Sequence, residues 1–250
     1  MVKIRAVVLA AGRGTRLGGD TAKVLREANG KTLLSYVVDA LSFVPREDII
    51  IVAGYKKEDV FAAFPDCAFA VQEKQLGTGH AVLSAEDKLA GFDGVALVCC
   101  GDMPLLRRET YLELLETHSA GGNDCTILSG VAENPYGFGR IVRGEGGGFA
   151  AIVEEKDCTP EQRGITEINA GVYVFDAQKL LPALHSLSTA NAQEEYYLTD
   201  APAIIKSGGG RVGVYRKALG DEMLGVNTAE QLAQVERILR LLDAQHSFVL

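Results

Sequence analysis

The chain holds 250 residues, 47% apolar and 23% charged, with a formal net charge of -8. That is an ordinary globular composition with room for one large α/β domain or two small ones, and its acidic balance argues against a general nucleic-acid binder while permitting one small anion held by local arginines and backbone N–H groups. No apolar run reaches the ~18 residues that a bilayer crossing needs, and five cysteines without a CxxC pair read as reduced core residues of a cytoplasmic protein rather than a zinc or disulfide framework.

The N-terminal MVKIRAVVLA has two basic residues before an apolar run. The run is short and glycines follow at once, so Ile4–Leu9 reads as a buried strand and not a signal peptide. Apolar residues at 33, 34, 37, 38 and 41 predict an amphipathic helix over Leu33–Leu41. Strands follow at Ile49–Val52, Phe69–Val71, Val95–Cys100 and Thr126–Leu128. Helices separate them over 58–64, Gly79–Leu89 and 108–118. Nearly continuous apolar strands between helices predict a Rossmann-like α/β fold, with a mixed, mostly parallel sheet covered on both faces. After about residue 130 the pattern loosens. Gly137–Val142, Ala151–Val153 and Gly171–Phe175 read as strands joined by glycine-rich loops, Thr199–Lys206 as a helix, and Thr228–Leu242 as a helix with Thr228 as its N-cap. No internal repeat or low-complexity linker interrupts the chain.

The stretch LAAGRGTRL, residues 9–17, places two glycines and two arginines at the end of the first strand. Backbone N–H groups of a glycine-rich turn can converge on a phosphate, and Arg13, Arg16 and Lys23 would suit a triphosphate. The plain alternative is a solvated basic loop. Neither common fingerprint fits: Leu17 stands where a P-loop needs its second glycine, and also where a GxGxxG dinucleotide motif needs its third.

Followed by Lys23-Val24-Leu25, this stretch resembles the signature of the nucleotidyltransferases that make nucleotide sugars. QEKQLGTGHA, residues 72–81, is more specific and resembles a segment of the bacterial UTP:N-acetylglucosamine-1-phosphate uridylyltransferases, the family of the N-terminal half of the bifunctional GlmU enzyme. A helix start at Thr78 would account for Gly-Thr-Gly but not for both glutamines. The pattern continues through Cys100-Gly101-Asp102, NPYGFGRI at 134–141, VEEKD at 153–157, EINAG at 167–171, NAQEEYYLTD at 191–200 and GVNT at 225–228. The likeness runs from about residue 4 to about residue 240. The departures are Ala22 for the usual proline before the lysine, which would loosen the loop, Cys100 for an aromatic, and Phe138 for a tyrosine.

The resemblance implies a nucleotide-diphospho-sugar transferase fold with a smaller, irregular sugar-binding lobe. It implies catalytic cations at Arg16 and Lys23, and a nucleotide site at Leu9, Ala10, Ala11, Gly12, Gly14, Thr15, Lys23, Gln72, Gln75, Gly77, Thr78, Gly101 and Asp102. Gln72 offers donor and acceptor together to a uracil edge. Sugar contacts fall to Gly139, Glu154, Asn169 and Tyr197, and Mg²⁺ to Asp102 and Asn227. Taken singly, Asp102 also reads as a turn aspartate and Asn227 as a helix cap. The implied division is one domain over 1–250: a nucleotide part to about 130, a sugar part over 131–227, and a C-terminal helix over 228–250. No hexapeptide repeat of the acetylating β-helix occurs in these residues, so acetyl transfer is not expected and a monomer or weak dimer is. UTP and a sugar-1-phosphate are the expected partners, with no nucleic acid and no membrane. Transfer to another sugar phosphate such as glucose-1-phosphate, or a non-catalytic UDP-sugar sensor, stays open at this point.

Overall fold

The computed structural model describes residues 2–247. Its first half runs β1 (Ile4–Ala10), a two-stranded ribbon of β2 (Glu27–Ala28) and β3 (Lys31–Thr32), α1 (Leu33–Ala40), β4 (Ile49–Ala53), α2 (Lys57–Ala63), β5 (Ala68–Val71), α3 (Thr78–Leu83), α4 (Glu86–Leu89), β6 (Val95–Cys100), α5 (Arg108–Gly121) and β7 (Cys125–Val131). The second half adds β8 (Arg140–Arg143), β9 (Phe149–Val153), α6 (Pro160–Arg163), β10 (Glu167–Asp176), α7 (Ala177–His185), α8 (Ala201–Ser207), β11 (Val212–Arg216) and α9 (Ala229–Ser247). The main sheet has the order β11-β7-β10-β6-β1-β4-β5, with β8 paired to β10 and β9 to β8. β6, β1, β4 and β5 are mutually parallel, as are β11 and β7. β10 runs antiparallel between the two groups, so the sheet is mixed and mostly parallel.

Side-chain alternation along each strand explains the double cover. Ala6, Val8, Ile49, Ile51, Leu97 and Cys99 point to one face, where they pack with Leu34, Val37 and Val38 of α1, Val60 of α2 and Leu114 of α5. Val7, Ile50, Val52, Ala96 and Val98 point to the other, against Val82 of α3, Leu89 of α4, Leu180 and Leu184 of α7 and Ile205 of α8. Both faces are apolar, so the strands read as continuous apolar runs. A third cluster, Ala28, Leu33, Leu105, Val226, Val235 and Leu239, seats α9 on the ribbon.

Several expected elements change. The helix expected over 79–89 is two short ones. The Ser84 hydroxyl donates to the His80 carbonyl and the Ala85 N–H reaches only to Val82, a tightened turn that ends α3. The strand expected from Gly137 begins at Arg140, because Asn134 Oδ1 accepts from Tyr136 N in a turn and Gly137 takes φ +86°. Helix α7 was not anticipated: Pro182 sits inside it and reads as a breaker. Asp176 nevertheless caps it by accepting from the N–H groups of Gln178 and Lys179. Strand β11, with its interior Gly213, also gave no signal. Of the C-terminal helix expected over 228–250, residues 248–250 lie outside the described residues. Among the described residues no helix is long and apolar enough to cross a membrane.

Candidate active site

In the order of the sheet, β1 lies between β4 and β6, so the chain's path reverses direction at β1. Ligands of open α/β sheets bind outside the carboxyl ends of the strands at such a reversal. Here the loops after β1, β5 and β6 enclose a cleft of about 280 Å³. Of the residues expected at the nucleotide, Leu9, Ala10, Ala11, Gly12, Lys23, Gln72, Gln75, Gly77, Thr78 and Asp102 line it. Val24, Ala81, Cys100 and Glu195 complete the wall and were not anticipated. Thr15 and Arg16 do not line the cleft; they stand on an exposed turn after Gly14. Arg16 makes no side-chain hydrogen bond or ion pair among the described residues, whereas Arg13 lies over the Tyr55 ring, 5.1 Å from its centroid. Gly101 does not face the cleft; its N–H donates to the Leu9 carbonyl and braces β1.

Gly14 has φ +66°, and a Cβ there would lie 2.6 Å from the Cβ of Lys23. Glycine is therefore required both by the backbone and by the lysine stem beside it. Ala22 holds φ -54°, inside the range proline would impose, and is fully buried. The loop keeps its shape without the proline. The Lys23 ammonium reaches across to Asp102 Oδ2 and to Asn227 Oδ1, the latter at 3.1 Å. The Val226 N–H donates to the Asp102 carbonyl at 2.9 Å, which ties the two segments together. Thr228 caps α9: its Oγ1 accepts from Gln231 N, while Gln231 Oε1 accepts from the N–H groups of Asn227 and Thr228. With the cap supplied by Thr228 and Gln231, the Asn227 amide oxygen is directed at the lysine. Its reading as the helix cap is thereby set aside.

One carboxylate and one amide oxygen that already converge on a cation form a donor set suited to a hard divalent ion. Among the described residues no group of three or more His, Cys, Asp or Glu is placed to hold a metal. An ion here would complete its shell from phosphate and water.

The segment over 72–81 is held from behind. Gln72 is 4% exposed; its amide donates to the Gly77 carbonyl at 3.0 Å and contacts His80 Nδ1 at 3.1 Å. Gln75 donates to the Ala11 carbonyl at 2.7 Å, joining this loop to the one after β1. Gly77 has φ +112° and would place a Cβ 2.5 Å from the Tyr196 carbonyl oxygen. Thr78 does not cap α3. Its hydroxyl accepts from Leu198 N, and Gly79 N donates to Tyr196 O, so the 194–198 strip, unread in the sequence as a support, braces the cleft.

The residues expected at the sugar gather beside it. A Cβ on Gly139 would lie 3.6 Å from both Asn169 Cβ and Glu154 Oε1. Glu154 accepts from the Thr199 hydroxyl at 3.0 Å, and burial pushes its carboxyl above the usual range. Both ends of the Asn169 amide are already used: Nδ2 donates to the Tyr173 hydroxyl at 2.7 Å and Oδ1 accepts from Gly171 N at 3.1 Å. Tyr197 donates to Asp157 Oδ2 at 3.2 Å, and burial with that carboxylate nearby pushes the phenol up to about 12. The second glutamate of the VEEKD stretch has another task. Glu155 Oε2 pairs with the fully buried Arg140 at 2.6 Å and accepts from Gly137 N at 3.1 Å. Arg140 also donates to the Phe138 carbonyl. Thr199, Arg140, Glu155 and Asp157 were not read as parts of the site; the Glu-Glu doublet and the arginine after Gly139 were the available signals.

The family profile described as the MobA-like NTP transferase domain matches residues 6–235. The chain belongs to this family. Among curated relatives, "Bifunctional protein GlmU" of Geobacillus thermodenitrificans is 45% identical over 241 residues, 96% of this chain and 52% of that protein. The protein of the same name from Clostridium novyi is 45% identical over 238 residues, 94% of this chain and 52% of its own length. The chain thus spans about half the length of the curated relatives it matches. A solved chain from Bacillus anthracis, crystallised with sucrose and titled as a glucose-1-phosphate thymidylyltransferase, superposes with a TM-score of 0.72 over 95% of both chains at 18% identity. That likeness establishes the nucleotidyltransferase fold and leaves the substrate to the residues of the site.

Proposed function

We propose that this MobA-like NTP transferase domain transfers uridylyl from UTP to N-acetylglucosamine-1-phosphate, releasing pyrophosphate and forming UDP-N-acetylglucosamine. The observation that carries the reading is the meeting of three segments at one cleft: the glycine turn with Lys23, the Gln72–Thr78 loop, and Asp102 beside Asn227. A phosphate oxygen of the sugar phosphate forms the new bond to the α-phosphorus of UTP. The bond from that phosphorus to the β-phosphate oxygen breaks, and pyrophosphate leaves with the electron pair. No covalent enzyme intermediate is needed, so positioning and charge neutralisation supply the acceleration.

Backbone N–H groups from Ala11 to Gly14 hold the phosphates, and glycine allows their close approach. Lys23 neutralises charge at the reacting phosphate. Arg16, exposed on the turn after Gly14, folds over the leaving pyrophosphate. Gln72 and Gly77 receive the uracil edge, and Glu154 and Asn169 the sugar hydroxyls and N-acetyl group. Asp102 and Asn227 would hold Mg²⁺, which supplies further charge neutralisation at phosphate oxygens when bound. Turnover is expected to require that ion.

The test is pyrophosphate release from purified protein given UTP, Mg²⁺ and a panel of sugar-1-phosphates. Release with N-acetylglucosamine-1-phosphate, lost on chelation, supports the reading. Preference for glucose-1-phosphate would move the substrate and keep the chemistry. No release across the panel, from protein that still binds UDP-N-acetylglucosamine, would replace transfer by sensing.

A further inference from the structure

The oxygens of Asp102 and Asn227 are occupied by a cation supplied by the chain itself. Lys23 Nζ contacts Asp102 Oδ2 and lies 3.1 Å from Asn227 Oδ1. The lysine and aspartate side chains are only 15% and 16% exposed, so the carboxylate is poorly hydrated and depends on this partner. Lys23 starts a short helical turn through Leu25, flanked by the buried Ala22 and Val24. Its backbone is therefore anchored, and the rotatable bonds lie in its four-carbon stem. The stem runs past Gly14, where any Cβ would collide with it. It lines the same cleft as Gly12 and Ala11. Rotation of that stem would turn the ammonium from the aspartate toward the loop expected to receive phosphate.

We propose that Lys23 is the resting cation of the metal site: it competes with divalent ions for Asp102 and Asn227, and vacates them when an anionic phosphate draws it to the glycine turn. This rests on the reading of Asp102 and Asn227 as the metal pair. Two cations cannot share one carboxylate oxygen and one amide oxygen at close range without strong repulsion. The ligand-free protein therefore binds divalent ions weakly. Phosphate and metal favour one another, and by linkage the coupling is reciprocal. Lys23 thus has two positions, and the metal fills the first only when the second is taken.

The experiment uses Mn²⁺ alone as probe, titrated into the whole protein without nucleotide, with free ion read by electron paramagnetic resonance. Lys23→Met should tighten Mn²⁺ binding at least tenfold over the wild type. Lys23→Gln, which keeps a polar but uncharged end group, should do the same, so a folding defect in one variant does not decide the matter. Adding Asp102→Asn to Lys23→Met should abolish the gain. UMP should tighten Mn²⁺ binding to the wild type more than to Lys23→Met. If both lysine variants bind Mn²⁺ no better than the wild type while Asp102→Asn still weakens it, the metal pair stands and the competition is overturned. If Asp102→Asn changes Mn²⁺ binding in neither background, the metal pair itself is wrong and the proposal falls with it. Equal tightening by UMP in both proteins would overturn the release step.

Discussion

The two sides of the cleft are built on opposite terms. On the side proposed for the nucleotide, the groups that would meet phosphate are backbone N–H groups and the cations Arg16 and Lys23. Arg16 is exposed and has no side-chain hydrogen bond or ion pair among the described residues, and Lys23 is parked on Asp102 and Asn227. On the side expected to take the sugar, Arg140, Asn169, Tyr197 and Thr199 are buried, Glu154 and Glu155 are half-buried, and the polar groups are already bonded: Glu154 to Thr199, Asn169 to Tyr173 and Gly171, Tyr197 to Asp157, Arg140 to Glu155. The first arrangement keeps charge available for a highly charged ligand and depends little on neighbouring side chains. The second fixes donors and acceptors in one geometry, which suits discrimination among sugars, and carries the desolvation of each buried group as a cost in stability. Substitutions on the two sides should therefore fail differently, in turnover on one and in folding on the other.

The largest effect should come from Asp102→Ala, with kcat lower by a factor on the order of 10³, the scale of removing a preorganised charge partner from a reacting phosphate. Arg16→Ala should cost a factor on the order of 10² while the thermal midpoint stays within the error of the wild type, because the side chain is exposed and makes no hydrogen bond or ion pair among the described residues. Pyrophosphate release and a thermal melt on the same samples check both. Near-normal turnover in either variant would end the role given to that residue.

Arg140→Met should reverse that signature. It removes a fully buried guanidinium and strands Glu155, at a cost of about 3 kcal/mol in urea unfolding, the lower end of what breaking a buried pair costs. Any loss of activity should appear as a raised KM for the sugar phosphate, through the Gly137–Gly139 loop that this pair ties down. An unfolding midpoint like that of the wild type would refute the claim that this side is held by the buried Arg140 and its pair with Glu155.

Gly77→Ala sits between these cases. The backbone at φ +112° and a Cβ 2.5 Å from the Tyr196 carbonyl should cost about 1–3 kcal/mol and raise the KM for UTP more than that for the sugar phosphate. Equal changes in the two KM values would mean that this loop serves both ligands.

The same contrast explains what the sequence could disclose. Most of the cleft lining was legible because it lies in short contiguous stretches. A buried parallel strand reads as an apolar run, a phosphate turn as glycines after it, and Asp102 as the first acidic residue beyond β6. The sugar side depends on contacts between distant segments, such as Thr199 with Glu154 and Tyr197 with Asp157, and no local pattern announces them. The doublet Glu154-Glu155 shows the limit. Either carboxylate could face a sugar, and only the fold sends Glu155 to Arg140. Helix α7 and strand β11 escaped for a related reason: tertiary packing on α3, α8 and β7 outweighed an internal proline in one and a glycine in the other. Lys23 read as a phosphate ligand, but its resting place on Asn227, 204 residues away, needed the folded chain.

The smallest effect is the one that separates binding from stability most sharply. Burial holds the Glu154 carboxyl above its ordinary value in the folded chain. Between the unfolded value near 4.5 and that raised value, the folded state keeps a proton the unfolded state has lost. The resulting contribution to stability is fully present below the unfolded value and disappears as pH rises through the folded one. At neutral pH the buried charge is a liability. Glu154→Gln should therefore raise the thermal midpoint at pH 7–8, and the advantage should shrink toward nothing near pH 4, where the glutamate is protonated in both states. The same substitution should weaken use of the sugar phosphate, because an amide accepts hydroxyl hydrogens less strongly than a carboxylate. Greater stability with poorer turnover is the outcome expected of a group kept for its ligand. A lower midpoint at pH 7–8 would mean that Glu154 is held as a charge by partners such as Thr199, and that it belongs with the structural pairs of the sugar side.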